Sequence, residues 1–326
     1  MRSEGGMGGV DLGRFVMALG VVLIHLEAMF YTDGYYGAFL DWFIRLAVPF
    51  FFMASGYLVL RRMETGAVCV KEYLGAKALR FLKLYLVWSA IYLPLGIYMF
   101  ATSAHPDGVL IDLRRMLTAW LFIGQLPNAW MLWFLYSLVF VYGAMSVCVG
   151  RRGRMTWLVV VFCVCYAMRY AAPLMADGGM MRFAELVVCE RMFGGGLYVL
   201  CGMLAYKLRR VALAAPVWLG MTVVSVILYG MGWRIFEVFG AMGVFGATAC
   251  MKLPKWGRYR VLGGMSLWIY LIHMYVLTAI YATGEMREQP WLLLVVAEAM
   301  TVVFSAGLEW GSQHVSWLRP LRRLVR

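Results

Sequence analysis

The chain has 326 residues, of which 63% are hydrophobic and 14% are charged, and its formal net charge is +13. A soluble domain is about 45–50% apolar and about 25% charged, so the composition excludes an ordinary soluble protein and predicts a polytopic membrane protein. In such a protein, basic loops set the topology and attract anionic lipids, so we expect lipid rather than nucleic acid as the partner of this charge.

Ten apolar stretches are predicted to cross the membrane as helices, because a helix needs about 20 residues to span the hydrocarbon core. No polar stretch is long enough for a soluble module, so we expect an all-α fold with a single transmembrane domain over residues 1–326. The predicted spans are 12–30, 40–60, 79–100, 129–149, 155–171, 193–208, 213–231, 234–250, 263–283 and 290–311.

Basic residues gather in every second connection between these spans, beginning with Arg61 and ending with the basic C-terminus. Since Lys and Arg are retained on the cytoplasmic side, this alternation favours ten spans and predicts that both termini are cytosolic. The seven cysteines are odd in number and form no CxxC pair, so they indicate neither a disulfide framework nor a metal site.

The first span carries Arg14, His25 and Glu27 within an apolar run. An ionisable group at the centre of a membrane helix costs about 2.5 kcal/mol or more, so it indicates function. Arg14 and His25 are separated by three helical turns plus about 20°, and by a rise of about 16 Å. We expect both on one face, with the imidazole near mid-membrane. Alternatively, Arg14 reaches the head groups, His25 only packs, and Glu27 lies at the outer interface.

The second span contains Pro49, Ser55 and Gly56. A proline inside a span predicts a kink, because it lacks an amide hydrogen and its ring clashes with the preceding turn. Ser55 and Gly56 are small enough to let another helix approach closely, so they are interpreted as a structural motif for packing.

Cationic residues at the cytosolic ends of the second and third spans include Arg61, Arg80 and Lys83. They can serve topology and lipid binding. The alternative is a ligand that carries phosphate and approaches from the cytosol, since Arg is suited to bidentate phosphate contacts.

The outer side is predicted to contain a short amphipathic helix over 112–126, begun by Asp112 as N-cap, and a long polar connection over 172–192. Glu190 and Arg191 border this side, where a polar acceptor could be held, and Trp133 lies in an aromatic segment typical of an interface.

The ninth span holds Ser266, Tyr270 and His273. Their spacing of four and three residues lets all three share one helix face, with a second histidine inside the membrane.

Four stretches, taken in order, resemble the acyltransferase-3 family of bacterial integral membrane proteins, which O-acylate cell-surface glycans and related acceptors. They are Arg14 with His25, FFFMASGYL at 50–58, WMLWFL at 130–135 and SLWIYLIH at 266–273. With KLYLVWSAIYLPLGIY at 83–98, the chain is also similar to the membrane domain of the membrane-bound serine racemases of vancomycin resistance. That domain is regarded as serving serine uptake.

The resemblance implies a protein of the bacterial cytoplasmic membrane that uses acyl-CoA as a co-substrate and keeps no cofactor permanently bound. It implies His25 as the general base, a role that suits an imidazole at neutral pH. The donor phosphates would be held by Arg14, Arg61, Arg80 and Lys83. The acceptor, a cell-surface glycan or a small molecule, would be bound by Trp133, Glu190, Arg191, Tyr270 and His273, with Ser55, Gly56 and Ser266 as structural positions.

Two other functions stay open. In a serine transporter, Glu190 and Arg191 would bind the zwitterion and His25 could relay protons. In a non-catalytic sensor, the same residues would bind a ligand without turnover. A homodimer is compatible with either of these and with the enzyme.

Overall fold

A computed structural model of the chain describes residues 8–26, 35–66, 69–171, 179–209, 214–251, 253–254, 257–283 and 289–321. The described residues form helices and no strands, so the predicted all-α fold is confirmed. The α-helices are α1 (Gly8–Ile24), α2 (Tyr35–Arg45), α3 (Ala47–Thr65), α4 (Val70–Thr102), α5 (Val109–Thr118), α6 (Trp133–Cys148), α7 (Arg152–Ala171), α8 (Gly179–Ala184), α9 (Gly196–Leu208), α10 (Ala214–Gly230), α11 (Phe236–Cys250), α12 (Arg258–Thr283) and α13 (Pro290–His314).

Each of the ten predicted spans overlaps at least one of these helices. Within the described chain, six helical stretches are long and apolar enough to cross a membrane, and α10 and α11 are apolar but shorter. The multi-pass character is therefore supported, while ten crossings and cytosolic termini stay predictions. The six stretches are Gly37–Thr65, Val70–Thr102, Trp130–Cys148, Arg182–Leu208, Arg258–Thr283 and Trp291–His314.

The second predicted span is interrupted at Leu46, where α2 ends and α3 begins. Pro49 lies in the first turn of α3, a position at which its missing amide hydrogen has no helical partner to lose. The clash of its ring with the preceding turn falls at Arg45, the last residue of α2. The kink predicted at Pro49 is thus a helix break three residues earlier.

By contacts, the chain divides into two compact units. The first unit combines Met1–Arg62 with Tyr198–Arg326, and the second unit is Met63–Leu197. In the first unit, α1 and α12 run in the same direction, since Gly8 lies against Tyr259 and Asp11, further along α1, lies against Gly263, further along α12. This direction is the one that a first and a ninth span would share.

Small residues bring helices of the first unit into backbone contact. Where α3 crosses α9, a Cβ atom on Gly56 would come within 2.0 Å of the Val199 carbonyl oxygen. A Cβ atom on Gly202 would lie at the same distance from the Met53 carbonyl oxygen. Two glycines therefore interlock at one crossing, the arrangement that membrane helices use when no water drives their association.

In the second unit, α4 and α6 pack antiparallel through aromatic rings. Phe81 stacks on Tyr142 with centroids 5.8 Å apart, and Tyr85 meets Tyr136 at 5.6 Å. The Tyr85 hydroxyl also donates to the Trp120 carbonyl oxygen across 2.6 Å. That bond ties α4 to the π-helical segment Ala119–Ile123, which follows α5.

Two predictions for the outer side are wrong in detail. α5 begins at Val109, because Gly108 adopts a φ of 100° that is not helical. Asp112 therefore lies inside the helix rather than at its N-cap. Residues 179–192 are helical rather than a loop: α8 continues into the π-helical segment Glu185–Met192. The charged residues of this stretch obscured the spacing of its apolar residues, so the sequence did not predict a helix there.

Candidate functional site

His25 lies in the turn that ends α1, not inside the helix. The amide groups of His25 and Leu26 donate to carbonyl oxygens three residues earlier, at 3.1 and 3.0 Å. Such bonds tighten the last turn and end a helix, and an apolar run without Gly or Pro gives no sign of this end. The prediction of a helix continuing through His25 is therefore wrong, and Glu27 lies outside the described residues.

The turn brings His25 against the second intramembrane histidine. The rings of His25 and His273 stack with centroids 5.0 Å apart and planes 30° from parallel. The ring of Tyr270 meets His273 at 6.2 Å and Phe51 at 6.4 Å. The sequence singled out both histidines but did not predict that they meet, because they are far apart along the chain.

His273 has no exposed surface, and its Nδ1 lies 3.2 Å from the Ile269 carbonyl oxygen. A carbonyl oxygen only accepts, so Nδ1 carries the proton in this bond and Nε2 keeps a lone pair in the neutral ring. Among the described residues, Nε2 has no hydrogen-bond partner. The arrangement leaves one buried basic nitrogen beside His25. Ser266, in contrast, donates to its own helix, to the Gly263 carbonyl oxygen at 2.8 Å.

A cluster of charges lies at the other end of α1. Arg14 approaches Asp11 with 3.6 Å between nitrogen and oxygen, and Arg61 and Arg260 act on the same carboxylate electrostatically. The Asp11 carboxylate packs on Gly263, where a Cβ atom would come within 2.4 Å of it. Neither Asp11 nor Arg260 was predicted, although an acidic residue three positions before Arg14 on a helix is a local sign of a pair.

The distance between the two clusters can be measured along α12. Gly263 contacts the charge cluster, and His273 belongs to the histidine pair. Ten residues of α-helix separate them by about 15 Å, close to the 16 Å expected for Arg14 and His25. The first unit therefore presents arginines and histidines about half a hydrocarbon thickness apart.

Of the five predicted acceptor residues, Tyr270 and His273 lie in the first unit, and the other three lie in the second unit, at the π-helical segment Glu185–Met192. Arg191 pairs with Glu190 at 3.2 Å, and its guanidinium lies 5.2 Å from the centre of the Trp133 ring. Glu185, which the prediction missed, is 5% exposed and pairs with Arg182 at 2.6 Å. The second Glu185 oxygen and the Arg191 Nε are buried and have no hydrogen-bond partner among the described residues. Irregular π-helical turns are frequent at functional sites.

The remaining predicted donor residues, Arg80 and Lys83, lie on α4 in the second unit, half-buried and exposed respectively. Ser55 is half-buried next to Gly56 on α3. In the described part of the chain, no three His, Cys, Asp or Glu side chains are arranged to hold a metal ion.

Comparison with known proteins gives two matches. A family model described as an acyltransferase domain, Acyl_transf_3, matches residues 7–310. An amino-acid racemase of Enterococcus faecalis is 34% identical over 91 residues, which is 28% of this chain and 12% of that protein. The match therefore spans only a small part of the racemase. No solved structure matches the chain.

Proposed function

We propose that this chain, which belongs to the acyltransferase-3 family, transfers an acyl group from cytosolic acyl-CoA to a hydroxyl or amine acceptor reached from the outer side. Family membership and the apolar helices account for membrane acyl transfer in general. The donor, the direction and the acceptor class are what the proposal adds, together with a location in the bacterial cytoplasmic membrane.

The observation that carries the proposal is the stacked pair of His25 and His273. Acyl transfer to a hydroxyl needs a base within hydrogen-bond reach of the proton that leaves. In the proposal, His25 takes this proton from the acceptor, and the lone pair on His273 Nε2 helps to hold the acceptor hydroxyl. His25 is oriented by stacking on the fully buried ring of His273. The turn alone would leave the His25 ring less constrained.

The charge cluster supports a phosphate-bearing donor. The Asp11 carboxylate pairs with Arg14, and Arg61 and Arg260 also act on it electrostatically, so several guanidinium groups are available near the place where the proposal puts an anionic ligand. CoA carries several phosphate groups, and guanidinium groups suit them through bidentate hydrogen bonds. The separation of about 15 Å along α12 fits a donor whose phosphates stay at the arginines while its thioester reaches the histidines.

The test uses purified protein, labelled acetyl-CoA and longer acyl-CoAs, and a panel of hydroxyl and amine acceptors. His25→Ala should abolish turnover while CoA binding survives, and Arg14→Ala should weaken CoA binding. A wild-type protein that never consumes any acyl-CoA would contradict the proposal. Unchanged CoA affinity in Arg14→Ala would remove Arg14 from the donor site.

A second candidate function is uptake of an amino acid such as serine. It is favoured by the similarity to an amino-acid racemase and by the unpartnered polar atoms of Glu185 and Arg191. A carboxylate and a guanidinium suit the ammonium and carboxylate of a zwitterion. In proteoliposomes, uptake of labelled serine that Glu185→Gln abolishes, with no acyl-CoA consumed, would favour transport over acyl transfer.

A further inference from the structure

The last long helix, α13, buries a stripe of polar side chains that neither cluster above includes. At about 100° per residue, the five members fall within about 80° of the helix surface. Val303 and Trp310, on the other side of the helix, are more than 60% exposed. The stripe is almost fully inaccessible except at Glu298, which is half-buried. Its members are Glu298, Thr301, Ser305, Glu309 and Ser312.

One end of the stripe is well bonded. Glu309 accepts hydrogen bonds from Trp268 Nε1 and from Gln313 Nε2, each at 3.1 Å. Its carboxylate lies against Gly264 on α12, where a Cβ atom would come within 3.2 Å. Gly264 follows Gly263, which contacts Asp11 of the charge cluster. Glu309 therefore lies at the level where the proposed donor phosphates bind.

The other end has oxygens without partners. Glu298 Oε2, Thr301 Oγ1 and Ser305 Oγ are buried, and among the described residues none of them has a hydrogen-bond partner. Thr301 and Ser305 have no exposed surface at all. Leaving such a group unbonded costs about 1–3 kcal/mol, so buried polar atoms usually meet protein or ordered water. Because the hydroxyls are fully enclosed, only something as small as water can bond them without moving the helices.

The spacing favours a chain of water molecules. From Glu298 to Thr301, Ser305 and Glu309 the helix rises by about 4.5, 6 and 6 Å. A water that makes two hydrogen bonds of about 2.8 Å spans at most about 5.6 Å, so one water can bridge the first step and two waters can bridge each of the longer steps. The total rise of about 16 Å is half the hydrocarbon thickness.

We propose that the α13 stripe from Glu298 to Glu309 holds ordered water and conducts protons between the membrane interior and the donor end of the first unit. This role rests on the proposed function. The acceptor O–H bond breaks and an ester C–O bond forms, while the thioester C–S bond breaks and CoA leaves as a thiolate. In the proposal the acceptor proton is left on His25, and the α13 stripe returns it to the donor end, where the departing CoA thiolate takes it up.

The first test measures proton flux in proteoliposomes that contain a pH-sensitive dye, driven by a valinomycin potassium potential. The stripe covers half the membrane, and the outer passage by which the proposed acceptor arrives covers the rest, so wild-type protein should carry several times the flux of protein-free vesicles. Glu298→Gln and Thr301→Val should lose most of it. Thr278→Val is the matched control, since the Thr278 hydroxyl already donates to the Met274 carbonyl oxygen at 2.7 Å. Wild-type flux in Glu298→Gln, or no flux in the wild type, would overturn the path.

The second test measures the melting temperature of Thr301→Val. A hydrated stripe and a dry stripe predict changes of opposite sign. If Thr301 bonds water, Thr301→Val strands that water and lowers the melting temperature. If the hydroxyl is dry and unbonded, valine removes an unsatisfied group and raises it, which would overturn the inference. Ser305→Ala repeats the comparison at a smaller side chain if Thr301→Val does not fold.

Acyl transfer separates this inference from the function on which it rests. With a conducting path, Glu298→Gln should lower kcat and leave the donor KM unchanged. Proton flux without acyl transfer in the wild type would refute the proposed function and keep the path. Acyl transfer at wild-type kcat in Glu298→Gln would refute the path and keep the function.

Discussion

The imidazole rings of His25 and His273 stack at 5.0 Å, and only His273 is fully buried. The buried ring is fixed by its bond to the Ile269 carbonyl oxygen, so it forms a rigid surface for the histidine in the turn. In the proposed function the two residues differ in role: half-buried His25 takes the proton of the acceptor, and buried His273 orients His25 and helps to hold the acceptor.

Substitution of His273 can separate stacking from hydrogen bonding. In His273→Phe the ring remains and Nε2 is lost, so we expect kcat to fall by about 10²-fold with little change in the donor KM, in line with the usual contribution of proton-transfer groups. His273→Ala removes both the ring and Nε2, so its kcat should fall further. Steady-state kinetics with a fixed acceptor measures the difference.

The control for these variants is His314→Phe, because His314 also stacks on an aromatic ring, Trp310, at 4.6 Å but is exposed. It should keep wild-type kinetics. If His273→Phe is as active as the wild type, only the ring of His273 matters and the role of Nε2 is refuted.

The charge cluster predicts that Arg260 contributes to donor binding, although the sequence motifs do not contain it. Arg260→Ala should weaken CoA binding by about tenfold, equal to about 1.4 kcal/mol, because one cation near the phosphates is lost. Titration calorimetry at constant ionic strength measures this, since salt screens such contacts.

Arg62→Ala is the matched control, because Arg62 is the exposed neighbour of Arg61 on α3. Its CoA affinity should stay within about twofold of the wild type, as for other exposed charges. Equal losses in Arg62→Ala and Arg260→Ala would mean that general positive charge, rather than a defined site, attracts the donor.

Hydropathy was sufficient to predict a helix in each of the ten apolar stretches, because such stretches have no other stable state in a membrane. Helix ends were harder to predict. The stop after Ile24 depends on two backbone bonds in an apolar run, and the break at Leu46 comes three residues before its proline. The π-helical turns at 185–192 could not be predicted either, because no known pattern of apolar residues indicates a π-helix.

The site was predictable where chemistry stood out locally, as with an arginine or a histidine in an apolar helix. Pairings between distant segments were not, since nothing in the sequence indicates that His25 meets His273 or that Arg260 joins Asp11. The stripe on α13 was overlooked for another reason: Thr and Ser hardly change hydropathy, so their shared face is visible only when the helix is known.

Gly56 should tolerate no larger residue. A Cβ atom there would lie 2.0 Å from a backbone oxygen of α9, and backbone cannot move aside as a flexible side chain can. Gly56→Ala should therefore destabilise the protein by several kcal/mol, in the range found for overpacked cores or above it.

Gly75→Ala gives the opposite expectation, because Gly75 lies within α4 and its added Cβ would meet nothing within 4 Å. Alanine should stabilise that helix by about 0.5–1 kcal/mol. Thermal unfolding in one detergent compares the two variants, and a Gly56→Ala protein as stable as Gly75→Ala would show that α3 and α9 do not approach this closely.

The short helix α5 should lose protection from hydrogen exchange in acid. His105 donates a hydrogen bond to Asp112 at 3.1 Å and Arg115 adds another at 2.9 Å, and both lower the pKa of the Asp112 carboxyl. A carboxyl with a lower pKa in the folded state stabilises that state above its unfolded pKa, about 3.9. The contribution is lost as the pH falls through the folded value. Hydrogen exchange of residues 109–118, corrected for intrinsic rates, should therefore accelerate below about pH 4.

Asp112→Asn removes the titrating group, so its α5 should exchange faster than wild type at about pH 6 and respond little to further acidification. Glu72→Gln, an exposed carboxyl in the first turn of α4, is the control and should keep the wild-type response. If Asp112→Asn and the wild type accelerate alike, the carboxyl that responds is another one, and the bond from His105 does not hold α5 in place.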